Sequence, residues 1–274
     1  MSKAMQFKAR MKNLALENHV SAQSVLQNFM MERLLERISL SAYKEKFIIK
    51  GGMLIASLVG IDNRTTMDMD ATVLGFPLSD ASLHSALMEI CAISLDDETT
   101  FALDYITPIR DDEYGGYRAA IVARYESVNV SLKFDITTGD VMTPGAVRYE
   151  FPSSFEDKTI SIWAYNIETI LAEKVETILR RGVLNTRLRD FYDVYIIAKR
   201  QKINKKLFGV ALNATSQNRE SLAVLEDREN IIATIQEDEI MAQRWRLYAE
   251  ENYYARDIEF GEIMDVLRNL LVKK

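Results

Sequence analysis

The chain has 274 residues, 48% of them hydrophobic and 27% charged, with a net charge of −6, which suits one large or two small globular domains with ample material for a core. No apolar run approaches the ~20 residues of a membrane span, and the polar start Met1-Ser2-Lys3 opens no signal-peptide core, so a cytoplasmic protein without membrane contact is expected. The single cysteine, Cys91, excludes an internal disulfide, and the only histidines, His19 and His84, stand far apart without metal-ligand neighbours, which argues against zinc or histidine-based chemistry.

The charge is segregated. Residues 1–50 carry nine basic and four acidic groups, residues 51–160 seven against eighteen, and residues 171–206 ten against four. An acidic protein can therefore present a basic surface to an anionic polymer, although a charge run by itself is usually a solvated face.

Taken in chain order, residues 1–40 have helical character. Ser21 is placed to cap a helix, and Val25, Phe29, Leu34 and Leu35 follow the helical period. Phe47-Ile48-Ile49-Lys50 reads as a buried strand end, followed by Gly51-Gly52 and a helix-like stretch from Met53 to Val59. A glycine pair opening a helix exposes backbone N–H groups that suit phosphate; alone, it is a turn signal.

Met67 to Val73 reads as a second strand. Side chains alternate along a strand, so Asp68 and Asp70 share a face with Cα atoms roughly 6.6 Å apart, while Met67, Met69 and Ala71 point into a core. Two carboxylates on one face can hold Mg²⁺, which takes a few carboxylates together with water and substrate phosphates. An Asp-x-Asp pair alone is more often a polar strand face.

Ser79 to Ser94 reads as a helix between strands. Phe101–Ile109, Tyr117–Tyr125 and Val128–Ile136 read as strands, the last two joined tightly at Glu126-Ser127, and Asp111 to Gly116 reads as a loop. In Val128–Ile136, Lys133 and Asp135 share one face, and an antiparallel neighbour of the Asp68/Asp70 strand would present Asp135 as a third carboxylate. The alternative is a surface Lys–Asp pair. From Asn166 onward the pattern is helical to the end. In Ile167–Arg181 a polar stripe of Lys174, Thr177 and Arg181 accompanies the apolar one. Asp190 and Asp193 then share a helix face, where pairing of Arg189 with Asp193 is the plain structural alternative. The fold class is α+β, a mixed or antiparallel sheet flanked by helices over residues 1–165, followed by an all-α region over 166–274.

These elements, in this order, resemble the AbiEii/AbiGii nucleotidyltransferase toxin family of the DNA-polymerase-β-like superfamily. The resemblance rests on Lys50-Gly51-Gly52 … Arg64-x-Thr66-x-Asp68-x-Asp70, on Lys133-x-Asp135, on Leu171-x-x-Lys174-x-Glu176 … Arg181, and on Arg189-Asp190-x-x-Asp193. Gly-Gly stands where many superfamily members carry Gly-Ser. The resemblance implies an N-terminal nucleotidyltransferase domain and transfer from a nucleoside triphosphate to an RNA acceptor, tRNA 3′ ends above all, within a toxin–antitoxin or phage-defence pair. It implies Mg²⁺ at Asp68, Asp70 and Asp135, nucleotide contacts from Gly51, Gly52, Arg64, Thr66, Lys133 and Arg181, triphosphate binding by Lys174, and activation of the acceptor hydroxyl by Asp190. Nucleotidyl transfer to a small molecule or a protein, or a non-catalytic nucleotide- or RNA-binding regulator, are the competing functions. A cognate antitoxin protein is the further partner implied.

Overall fold

The computed structural model describes residues 2–109 and 115–272. The chain divides into two compact units, residues 1–140 with 147–164, and residues 141–146 with 165–274.

The first unit opens with α1 (Lys3–Glu17) and α2 (Ala22–Leu40). Ser21 caps α2 by accepting a hydrogen bond from the Ser24 N–H at 3.0 Å, which satisfies one of the donors a helix start leaves without a partner. Strand β1 (Phe47–Lys50) runs directly into helix α3 (Gly51–Val59), and then come β2 (Asp68–Val73), α4 (Asp80–Ala92), β3 (Thr99–Ile109), β4 (Gly116–Tyr125), β5 (Val128–Thr137), β6 (Val147–Pro152) and β7 (Thr159–Ala164). A reciprocal pair of hydrogen bonds between Ser79 and Ser82 fixes the start of α4.

The seven strands form one sheet in the order β3-β4-β5-β2-β1-β7-β6. β2 pairs with β5, and β1 with β7, in parallel; the remaining neighbours are antiparallel. The expected antiparallel pairing of the Asp135 strand with the Asp68/Asp70 strand is thus corrected to a parallel one. Both edge strands carry a proline, Pro108 in β3 and Pro152 in β6, at the positions where a missing ladder donor is tolerated.

Alternation in β5 sets the sheet's two faces. Val128, Val130, Leu132, Phe134 and Ile136 are buried, whereas Asn129, Ser131 and Lys133 are exposed. Met69 and Ala71 of β2 join the buried layer, but Met67 is 41% exposed. β2 begins one residue after it, so Met67 lies outside the pleat that was expected to turn it inward. Of the expected loop at 111–116, residues 111–114 lie outside the described residues.

The second unit contains α5 (Ile167–Arg181), α6 (Leu188–Arg200), α7 (Lys205–Asn218), α8 (Leu222–Glu226), α9 (Arg228–Glu237), α10 (Glu239–Glu251) and α11 (Phe260–Leu271). Asn166 caps α5 through the Thr169 N–H at 2.7 Å. Gly182, at φ 51°, ends that helix in the left-handed conformation that glycine adopts without cost. No helix among the described residues is long and apolar enough to cross a membrane.

Candidate active site

Four charged side chains occupy one transverse row of the sheet. In register, Lys50 of β1 faces Asp70 of β2, Asp70 faces Asp135 of β5, and Asp135 faces Arg118 of β4. Asp68 lies two residues before Asp70, opposite Lys133 of β5. Pleating puts Asp68, Asp70, Lys133 and Asp135 on the side opposite the buried Met69 and Phe134.

The glycine pair is required by close approach. Gly51 adopts φ +70°, and a Cβ there would stand 2.0 Å from Asp70 Oδ2. A Cβ on Gly52 would meet Thr66 Oγ1 at 2.6 Å and an Arg64 guanidinium nitrogen at 3.2 Å. The chain thus turns from β1 into α3 against the Asp70 carboxylate, which accepts a hydrogen bond from the Gly52 N–H. Arg64 and Thr66 are buried behind this turn. The Arg64 guanidinium donates to the Thr65 carbonyl, and the Thr66 hydroxyl donates to the Asp68 carbonyl at 3.1 Å. Both bonds lie in the 64–68 segment, which packs close against Gly52 and leads into Asp68.

Electrostatics around Asp70 are crowded. Burial, before any other cause, pushes its carboxyl above the usual range; Asp135 and Asp68 push it further, and Lys50 opposes them. Lys50 also donates to Asp140 Oδ2 at 2.6 Å, and Asp140 accepts from the Thr137 hydroxyl at 2.8 Å. Burial would raise the Asp140 carboxyl, but Lys50 and the threonine hydroxyls outweigh it and hold the group below its usual range.

Asp135 has a partner that the sequence pattern does not announce. Arg118 donates from Nε to Oδ1 at 2.7 Å and from Nη2 to Oδ2 at 2.6 Å, a two-pronged pair. Among the described residues no group of three or more His, Cys, Asp or Glu side chains is arranged to hold a metal ion. The three carboxylates expected to form a ligand set share one face of the sheet, and Asp135 has both oxygens on Arg118. The donor chemistry nonetheless fits Mg²⁺: Asp68 and Asp70 are hard oxygen ligands two apart on a strand, and the like-charge crowding at Asp70 is what a cation relieves.

Arg118 and Asp140 are charged neighbours of this row that no motif marks, and Lys50 belongs to a motif that gives it no role. For Arg118 a signal existed. The two-residue connection Glu126-Ser127 pairs Tyr125 with Val128, and counting back along both strands brings Arg118 opposite Asp135.

Within the second unit, Lys174 of α5 lies 2.8 Å from Asp190 Oδ1 and 2.8 Å from Asp193 Oδ2, both on α6. Burial would lower the Lys174 pKa, but the two carboxylates outweigh it and raise it. Arg187 reaches Asp190 Oδ2 at 2.8 Å. Lys174 is thus a partner of Asp193 as well as of Asp190, and Arg189 is exposed. Arg181 is exposed at the end of α5. Glu176 is buried and held by Arg180 at 3.0 Å, Arg219 at 2.5 Å and the Ser221 hydroxyl at 2.9 Å.

With the geometry in hand, comparison with known proteins assigns the family. The model of the family described as nucleotidyl transferase AbiEii toxin, type IV TA system, matches residues 33–266. No curated protein matches. MenT4, the nucleotidyltransferase toxin Rv2826c of Mycobacterium tuberculosis H37Rv, aligns at a TM-score of 0.56 and 13% identity, over 96% of this chain and 97% of that one. A Helicobacter pylori protein described as a candidate nucleotidyltransferase aligns at a TM-score of 0.50 and 15% identity, over 92% of this chain and 94% of that one. Those two likenesses establish the fold, an α+β nucleotidyltransferase fold, and the family match covers most of the chain. The chain belongs to the AbiEii nucleotidyltransferase toxin family of type IV toxin–antitoxin systems.

Proposed function

We propose that this toxin transfers a nucleotide from a nucleoside triphosphate to the 3′ end of an RNA, tRNA being the expected acceptor, in a Mg²⁺-dependent reaction that blocks translation. The observation that carries the reading is the Asp68–Asp70 pair, set on one sheet face beside a glycine turn whose backbone leaves no room for a side chain.

Asp68 and Asp70 would hold the metal. When bound there, Mg²⁺ supplies charge neutralisation for the phosphates of the triphosphate. The remaining work belongs to the chain. Gly51 and Gly52 let backbone and phosphate approach closely. Lys133, exposed on the carboxylate face, adds a cation for phosphate, and Lys50 steadies Asp70 from the other side. Positioning and fixed charge, rather than a covalent intermediate, would supply the rate.

In the second unit, Lys174 and Arg181 are proposed to bind phosphate and Asp190 to orient the acceptor hydroxyl. The support lies in the chemistry of the cluster, a lysine held charged by two carboxylates that phosphate oxygens can replace as partners. Arg64 and Thr66 enter the reading through the segment that packs against Gly52 and leads into Asp68. A cognate antitoxin follows from the family's type IV context, and a cytoplasmic site of action suits an acceptor found there.

The test supplies each labelled triphosphate in turn, with Mg²⁺ and total cellular RNA. Label in a tRNA-sized band supports the reading. Label only in protein or in small molecules replaces the acceptor, and no transfer with any nucleotide removes the enzymatic reading.

A further inference from the structure

We propose that Arg118 is a positioning residue that holds Asp135 off the metal site until the phosphates of an incoming nucleotide take over its guanidinium, whereupon Asp135 turns to the Asp68–Asp70 pair as a third ligand. This rests on the metal-dependent reading of Asp68 and Asp70 given above.

Three observations carry it. First, Arg118 uses two prongs, at 2.7 and 2.6 Å, on both oxygens of Asp135, so the carboxylate is drawn toward β4 and away from β2, which lies on the other side of β5. Second, Asp135 stands directly opposite Asp70 on the neighbouring parallel strand. Neighbouring strands lie about 4.8 Å apart, so a carboxylate released by Arg118 is one strand spacing from the pair. Third, the two partners differ in access: the Arg118 side chain is 46% exposed and that of Asp135 18%. The guanidinium is therefore the partner that solvent-borne phosphate can reach, and its planar fork fits phosphate as well as carboxylate.

The charges explain why such a hold is needed. Asp68, Asp70 and Asp135 repel one another on one face, and Asp70 already feels both neighbours. Arg118 in turn feels all three carboxylates. Without a metal, Arg118 on Asp135 and Lys50 beside Asp70 are the cations that offset the cluster; with metal and nucleotide bound, Arg118 is the group that has to leave.

The experiment measures Mn²⁺ binding to the full chain from the electron-spin-resonance signal of free Mn²⁺, without nucleotide. Four proteins are compared: unaltered, Arg118→Lys, Asp135→Asn and the double variant. Arg118→Lys keeps the charge but loses the fork, so a field effect alone predicts no change, and a thermal melt confirms that each variant is folded. The inference predicts that Asp135→Asn alone changes Mn²⁺ affinity by less than about twofold, that Arg118→Lys tightens it about fivefold or more, and that the double variant loses this gain, a coupling of the size seen between linked sites. Additive effects, or a loss on Asp135→Asn as large in the unaltered protein as beside Arg118→Lys, would overturn it. Asp70→Asn supplies the separate check. If Mn²⁺ binding survives that change, the metal assignment itself fails, whatever Arg118 does.

Discussion

At Gly51 a single hydrogen in place of a side chain decides where the Asp70 carboxylate can stand, since a Cβ would sit 2.0 Å from Oδ2. Gly51→Ala therefore has two costs. The left-handed conformation penalises alanine by about 1–2 kcal/mol, and Asp70 must move. The expected outcome is a small fall in melting temperature together with a fall in turnover of about tenfold or more, equal to at least about 1.4 kcal/mol of transition-state stabilisation. Turnover unchanged beside a lowered melting temperature would show that Asp70's place is immaterial to the reaction. Asp68, Asp70, Gly51 and Gly52 were legible in the sequence because strand alternation and a glycine pair are local signals. The hold of Lys50 on Asp140 was not, since it joins residues that local pattern does not relate, and the Arg118 fork on Asp135 is reached only by counting register back from the Glu126-Ser127 connection.

Helix α2 shows how an element is fastened by a buried charge. Arg37 is fully buried, and its guanidinium donates to both Asp97 oxygens at 2.8 and 2.9 Å and to the carbonyls of Arg33, Ile93 and Thr99. This ties α2 to the chain between α4 and β3. Removing one member of a buried, hydrogen-bonded pair strands the other, so Arg37→Met is expected to cost about 3–5 kcal/mol in denaturant unfolding; a cost near zero would contradict the role given to this pair. The pair also sets a pH dependence. Burial raises the Asp97 carboxyl, but the Arg37 and Thr99 hydrogen bonds outweigh it and hold it below its usual range. A group depressed in the folded state stabilises above its unfolded pKa, about 3.9 for Asp, and that contribution fades as pH falls through the folded value. Stability measured from about pH 5 downward should thus decline less steeply in Arg37→Met than in the unaltered protein. Most elements were legible: the β4–β5 hairpin, the helix between β2 and β3, the capped start of α2 and the helical second unit all follow from short-range period and turn chemistry. The parallel pairing of β2 with β5 was not, because strand order depends on long connections that leave no local mark. Met67 was misplaced by the one residue that separates it from the strand.

Over the whole chain the charge segregation seen in the sequence acquires places. The acidic middle stretch contributes the crowded sheet row, and residues 171–206 contribute exposed Arg181, Arg189, Lys199, Lys202 and Lys206 on the helical unit. Arg180 and Arg187, equally basic in sequence, are committed to Glu176 and Asp190, a distinction that composition alone does not carry. Replacing Arg189, Lys199, Lys202 and Lys206 together with glutamine should lower RNA affinity and flatten its salt dependence, by roughly 0.7–0.9 in log–log slope for each RNA phosphate that no longer meets a cation, while triphosphate binding stays unchanged. A salt slope that does not move would make this a solvated face only. The central claim, that Asp68 and Asp70 form the metal-holding centre of nucleotidyl transfer, is met most directly by single-turnover transfer of label from triphosphate to RNA with Mg²⁺ in excess, comparing the unaltered protein with Asp68→Ala and Asp70→Ala. Each variant should remain folded and lose about three orders of magnitude in rate, equal to about 4 kcal/mol of transition-state stabilisation. A folded variant that transfers label at a near-normal rate would contradict it.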